Sequence, residues 1–111
     1  MTHPHRQRLL PDDRRTAILQ AALTLAERDG FLMLTRESAA AEAGVSPGLV
    51  SRYFLATALL REEVMQAAVA AGVLSVIAEG LAARCPVALS APVELQRAAV
   101  DSLVSGGNSC R

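Results

Sequence analysis

The chain has 111 residues, of which 51% are apolar and only 3% aromatic, and its 11 cations, every one an Arg, balance 11 anions. That length fits one domain with a modest core, and an Ala-rich core with few aromatic or alternating β-branched residues argues for packed helices and against a sheet protein. Zero net charge argues against a nonspecific polyanion binder, which needs a strong positive field, while a specific binder needs only one basic face.

Residues 1–11, interrupted by Pro4 and Pro11, read as a flexible basic arm. From the amino-terminus through Arg15, Arg6, Arg8, Arg14 and Arg15 outnumber Asp12 and Asp13, with His3 and His5 beside them, so positive charge concentrates at this end. The first helix is expected to begin near Asp12 or Asp13, where carboxylates suit the positive end of the helix dipole. Ile18, Ala21, Ala22 and Leu25 follow the i, i+3, i+4, i+7 rule and define its buried stripe. Gly30 stops that helix, and Phe31, Leu32, Met33 and Leu34 form an apolar connector that folds back under the helices. Thr35 caps a second helix, with Glu37 in its first turn.

The stretch from Ala39 to Phe54 is the most informative. An Ala-rich helix stops at Gly44, which supplies a left-handed C′ residue. Ser46 then offers an N-cap oxygen, and Pro47 occupies the first helical position, where its missing N–H costs nothing. Two helices joined by a short turn containing Gly form a helix-turn-helix, whose second helix can enter the DNA major groove.

Thr57 is the expected N-cap of a long fourth helix running to Gly80. Leu60, Val64, Ala67, Ala71, Leu74, Ala78 and Leu81 make one continuous apolar stripe along it. Met65, Val69, Val73 and Val76 make a second, and Ala70 and Gly72 permit close approach beside it. A helix apolar on two sides needs two partners. The expectation is a homodimer through Met65, Val69, Gly72, Val73 and Val76, because an open patch of that size marks an interface. The alternative cover is the segment after Arg84, folded back. Ser90-Ala91-Pro92 opens a short C-terminal helix with Leu95, Ala98, Ala99, Ser102 and Leu103 on one face. The resulting division is an arm (1–11), a helix-turn-helix head (12–57), a helical core and dimerisation segment (58–104) and a disordered tail (105–111).

No Gly-rich phosphate loop, zinc-ligand spacing or nucleophile elbow marks an enzyme or a cofactor. Cys85 and Cys110 lack the paired spacing of a metal site. The Arg-rich start lacks the apolar core of a secretory signal, and the uncharged run Val64–Ala78 is too short to span a bilayer. A cytoplasmic protein with reduced thiols and no membrane contact is expected.

From Arg14 to about Val64 the sequence resembles the N-terminal DNA-binding domain of TetR-type transcriptional regulators. The resemblance rests on Ile18-Leu19-Gln20-Ala21-Ala22, Gly30-Phe31, Thr35, Ala43-Gly44-Val45-Ser46-Pro47-Gly48, Tyr53-Phe54 and Leu60. Ser51 stands where the family usually has Tyr, Thr57 where it often has a phosphate-binding Lys, and Ala39-Ala40 where it has Ile-Ala. Residues 82–111 are too few for the family's ligand-binding domain, so the chain looks like the short plasmid- or phage-borne repressors without a small-molecule effector.

The resemblance implies an all-α fold: a three-helix head with the helix-turn-helix, a long helix and a short C-terminal helix. It places helix three in the major groove, held by Val45, Val50 and Phe54. Ser46 and Pro47 would stand at the DNA with Gly48, which lets the backbone approach a phosphate that the free N–H groups at the helix N-terminus meet, and Leu49 would point outward to a thymine methyl. Arg52 would read guanine or meet a phosphate, with Ser51 donating beside it. Tyr53 would hydrogen-bond the DNA backbone, with Thr35, Arg36 and Thr57 contacting neighbouring phosphates and Arg14 and Arg15 adding contacts from the arm side. The implied function is a homodimeric repressor of an inverted repeat in double-stranded DNA, and the resemblance carries the expectation of autoregulation. The rival is a helical protein-interaction module that keeps the helix-turn-helix only as scaffold.

Overall fold

The computed structural model describes residues 11–109, and every regular element among them is helical. α1 spans Pro11–Asp29, a 3-10 turn Phe31–Met33, α2 Arg36–Ala43, α3 Pro47–Tyr53 and α4 Thr57–Ala71. α5 follows at Leu74–Ala82, α6 at Pro86–Leu89 and α7 at Val93–Ser109. The fold is all-α, as composition and periodicity require. The arm residues His3, His5, Arg6 and Arg8, and Cys110, lie outside the described residues, whereas Pro11, assigned to the arm, is the first residue of α1.

Ile18, Ala22 and Leu25 face the core from α1, joined by Leu23 and Ala26. The buried stripe is wider than the sequence suggests because α1 packs on α2, α4 and α5 at once. In the connector only Phe31 and Leu34 are buried; Leu32 and Met33 are 54% and 68% exposed. A 3-10 turn has three residues per turn, so positions 31 and 34 share one side and the two between them face out. Two charged side chains fix this turn from opposite ends. The Glu79 carboxylate accepts from the Phe31 N–H. Arg61 donates through Nε to the Leu34 carbonyl and through Nη2 to that of Leu32, both at 3.0 Å. At the surface Arg28 bridges α1 to α2 through Glu42 and also holds Asp29, whose carboxyl those hydrogen bonds keep below its ordinary pKa.

The largest departure from expectation is at Gly72. The fourth helix does not run from Thr57 to Gly80; α4 ends at Ala71 and Gly72 takes a left-handed conformation, φ 71°. Its N–H donates to the Val69 carbonyl at 3.3 Å and that of Val73 to Ala68 at 2.9 Å. This Schellman pair satisfies carbonyls that end a helix, and α5 turns back to pack against α4. Thr57 does not cap α4 either: Ala56 is the N-cap, with no side-chain hydrogen bond.

Gly80 does not end a helix but lies within α5. A Cβ there would stand 2.9 Å from the Ala88 Cβ and collide with the end of Met65. The glycine therefore lets α4, α5 and α6 approach one another closely. Gly80→Val is expected to cost about 1–3 kcal/mol through overpacking, read as a lower urea midpoint; an unchanged midpoint would show that the three helices can part without loss. Two residues beyond the end of α5 at Ala82, Arg84 takes positive φ, 61°, as a non-glycine residue. The Cys85 N–H reaches the Gly80 carbonyl at 2.8 Å and the Arg84 N–H that of Leu81 at 3.1 Å, the same closing pattern as at Gly72.

These turns correct the expected dimer surface. Met65 and Val76 are wholly buried within the chain, and Val69 and Val73 are half-buried against the same core, while Gly72 is an exposed turn residue. The second stripe is covered by the chain itself, through α5, α6 and α7. Val76, Ile77 and Ala78 are buried in succession, as happens only in a helix with neighbours on every side. Nor is the C-terminal helix short: α7 has 17 residues and continues through Ser105–Ser109, where a disordered tail was expected. Extending an existing helix adds one hydrogen bond per residue fixed, whereas starting one is costly, so α7 carries the segment along.

Candidate nucleic-acid interface

The helix-turn-helix is built largely from its caps. Thr35 Oγ1 accepts from the Ser38 N–H at 3.0 Å, and Ser38 Oγ accepts from the Thr35 N–H at 2.9 Å. This reciprocal capping box opens α2. Ser38 is the residue the sequence analysis does not single out, although its place three residues after Thr35 is the usual mark. Gly44 closes α2 at φ 74°, with the Val45 N–H bonded to the Ala40 carbonyl at 3.0 Å. Ser46 Oγ accepts from the Leu49 N–H at 3.2 Å, and Pro47 takes the first position of α3.

The inward face of α3 is Val50 and Phe54, both buried, with Tyr53 and Val45 half-buried against the core. With those positions turned inward, Leu49 is drawn to the same side. It is half-buried and lines a cleft with Arg14, Ala17, Ile18, Ala43 and Val45, so the outward orientation expected for it is corrected. Gly48 and Arg52, four residues apart, share the solvent face with Ser46 and Pro47. Arg14, at the edge of the Leu49 cleft, brings an exposed cation beside α3.

Two of the expected phosphate contacts have internal work. Arg15 forms an ion pair with Glu63 of α4, and its guanidinium lies 4.7 Å from the centre of the Phe54 ring. Arg36 reaches from the start of α2 to the end of α3. There its Nη1 donates to Ser51 Oγ at 3.2 Å and to the carbonyls of Leu55 at 3.0 Å and Phe54 at 3.5 Å. A cation suits the negative end of a helix dipole, so Arg36 clamps the C-terminal end of α3, and Ser51 is its acceptor. Arg36→Ala is expected to cost about 1.5–3 kcal/mol, the range for hydrogen bonds to a charged group. Arg36→Lys restores little of it, since one ammonium does not reproduce the planar fork. Thermal denaturation of both variants checks this, and full rescue by Lys would reduce the clamp to a simple charge effect.

The structure thus leaves Ser46, Pro47, Gly48 and Arg52 exposed on α3 and its N-cap, sets Arg14 at the neighbouring Leu49 cleft, and joins Arg36 to Ser51 at the C-terminal end of α3, while Thr35 caps α2 and Thr57 is half-buried at the start of α4. Arg52 makes no hydrogen bond or ion pair among the described residues, and the Tyr53 hydroxyl makes no hydrogen bond among them. Among the described residues no three His, Cys, Asp or Glu side chains gather as a metal site, and no helix is long and apolar enough to cross a membrane. Comparison with protein-family models, curated proteins and solved structures gives no match to this chain.

Proposed function

We propose that this protein is a sequence-specific regulator of the TetR type that binds double-stranded DNA through α3, acting as a homodimeric repressor at an inverted repeat. The observation that carries the reading is the outward face of α3, where Gly48 and Arg52 stand clear of the protein on a helix fixed at both ends. Nothing inside the molecule demands a glycine at position 48, since a Cβ there would meet only Ser46 Oγ, at 3.9 Å. Its absence leaves room for a phosphate to approach the Gly48 N–H at the start of α3. Arg52 is free to pair with a guanine edge, worth about 1–3 kcal/mol of discrimination against the wrong base.

The dimer is assigned to α7. Leu95 and Ala99 turn toward α5, and on the open side Val93, Val100 and Leu103 are 63%, 49% and 57% exposed. Arg97 lies between Glu94 and Asp101, all three exposed. Two copies of α7 paired antiparallel would set each Arg97 against the other copy's carboxylates, a self-complementary arrangement.

Selection of genomic fragments by the purified protein at fixed salt, followed by footprinting, tests the function; salt is held because phosphate affinity falls steeply with it. A protected inverted repeat supports the reading. No enrichment over bulk DNA overturns it and favours the interaction module, to which the internal engagement of Arg15 and Arg36 already lends some weight.

A further inference from the structure

A second cleft lies away from the α3 face. It is an open hollow of about 470 Å³ between the connector, the first turns of α4 and the α5–α6 turn. That volume falls within the range of small-molecule sites, which are mainly apolar with a few placed polar groups. Here Phe31, Leu32, Ala58, Pro86 and Val87 supply the apolar wall, and Arg61 and Arg84 supply two guanidinium groups against the single carboxylate of Glu62.

Arg84 is the informative member. It is the only non-glycine residue with positive φ among the described residues, and its side chain makes no hydrogen bond or ion pair among them. A left-handed conformation is unfavourable for any side chain beyond glycine, and such strain gathers where the surroundings or a ligand give it a use. A glycine at this position would close α5 with less strain but would leave no cation at the cleft. Arg61 is already anchored by Nε and Nη2 to the connector carbonyls, which holds its guanidinium in place beside the wall.

We propose that this cleft binds a small amphipathic carboxylate: an apolar body against Phe31, Leu32, Pro86 and Val87, and a carboxylate paired with Arg84 and assisted by Arg61. The sequence expectation of no small-molecule effector rested on the missing length of a separate ligand-binding domain. The cleft needs no such domain, because residues far apart in the chain form it. It is independent of DNA binding and stands or falls separately from that function.

The probes are octanoate and its uncharged counterpart octanol, and the reporter is Cys85, a half-buried thiol in the cleft wall. In a Cys110→Ser background, octanoate is expected to slow alkylation of Cys85 at least about fivefold and to raise Tm, as a ligand that binds only the folded state must, while octanol at equal concentration does much less. Arg84→Gly is the decisive variant. Glycine favours the left-handed conformation, so its Tm without ligand is expected to be equal or higher, yet octanoate affinity falls roughly tenfold or more with loss of a charge-assisted pair. Val87→Trp fills the hollow and removes protection by both probes. Equal protection by octanoate and octanol, or unchanged octanoate affinity in Arg84→Gly, overturns the carboxylate site; no protection by octanoate overturns it as well.

Discussion

Replacing Phe54 by alanine is expected to lower stability by about 3–5 kcal/mol, the range for removing a large buried aromatic side chain. Phe54 is 1% exposed and is the C-cap residue of α3, its N–H bonded to the Val50 carbonyl at 2.8 Å. Its ring packs in the head core on one side and carries the Arg15 guanidinium near its face. Truncation opens a cavity, leaves Arg15 without its cation–π partner and loosens the end of α3 that Arg36 clamps. Total stability for a domain of this size is typically about 5–15 kcal/mol, so a large part of the reserve is removed. Urea denaturation followed by circular dichroism measures the loss. Phe54→Leu, which keeps most of the apolar volume, is expected to lose much less. A Phe54→Ala protein within about 1 kcal/mol of the parent would mean that α3 is not anchored through this residue, since collapse of a rigid core rarely recovers that much.

On the proposed reading of a homodimer paired through α7 on an operator, Val100→Glu is expected to give a folded monomer whose operator affinity is lower by about 10²–10⁴, the avidity lost when two linked heads become one. Val100 is half exposed in the middle of α7, between Val93 and Leu103, so a charge there can remain in water in the monomer but is driven out of a closed apolar seam. Light scattering gives the mass and a binding titration at fixed salt gives the affinity. A Val100→Glu protein that remains dimeric places the seam elsewhere. The same substitution at Val69, which the second stripe on helix four first recommends, tests something different. Val69 is half-buried against the core and borders a groove with Pro86, Val87 and Ala91, so Val69→Glu reports on the fold before it reports on association.

A triple substitution, Arg97→Glu with Glu94→Arg and Asp101→Arg, reverses the charges along α7 and is expected to keep the proposed homodimer intact while weakening pairing with the parent chain, because like charges then face each other in the mixed dimer. Subunit exchange between tagged parent and reversed chains checks this, and free exchange would separate Arg97 from the seam.

The sequence by itself determined the local grammar of the head. Thr35, Gly44, Ser46 and Pro47 act within a few residues of themselves: a hydroxyl that caps the N–H three positions on, a glycine that accepts positive φ, a proline that loses nothing in a first turn. Such signals survive without knowledge of the rest of the chain, and the same holds for the inward spacing of Ile18, Ala22, Leu25, Val50 and Phe54. The face of α3 that carries Gly48 and Arg52 was legible for the same reason. Only the tertiary structure decided the rest. Gly72 can sit inside a helix or end one, and the apolar stripe from Leu60 to Leu81 reads alike in both cases; the outcome depends on whether α5 gains more by folding back on α4 than by extending it. Met65 and Val76 were apolar at either outcome, so only the return of α5, α6 and α7 shows that they are core, while Val93, Val100 and Leu103 of α7 stay exposed. Arg15 and Arg36 carry the same charge wherever they point; their partners, Glu63 and the end of α3, are far along the chain, and long-range partners are set by packing, which a local pattern of charges does not encode.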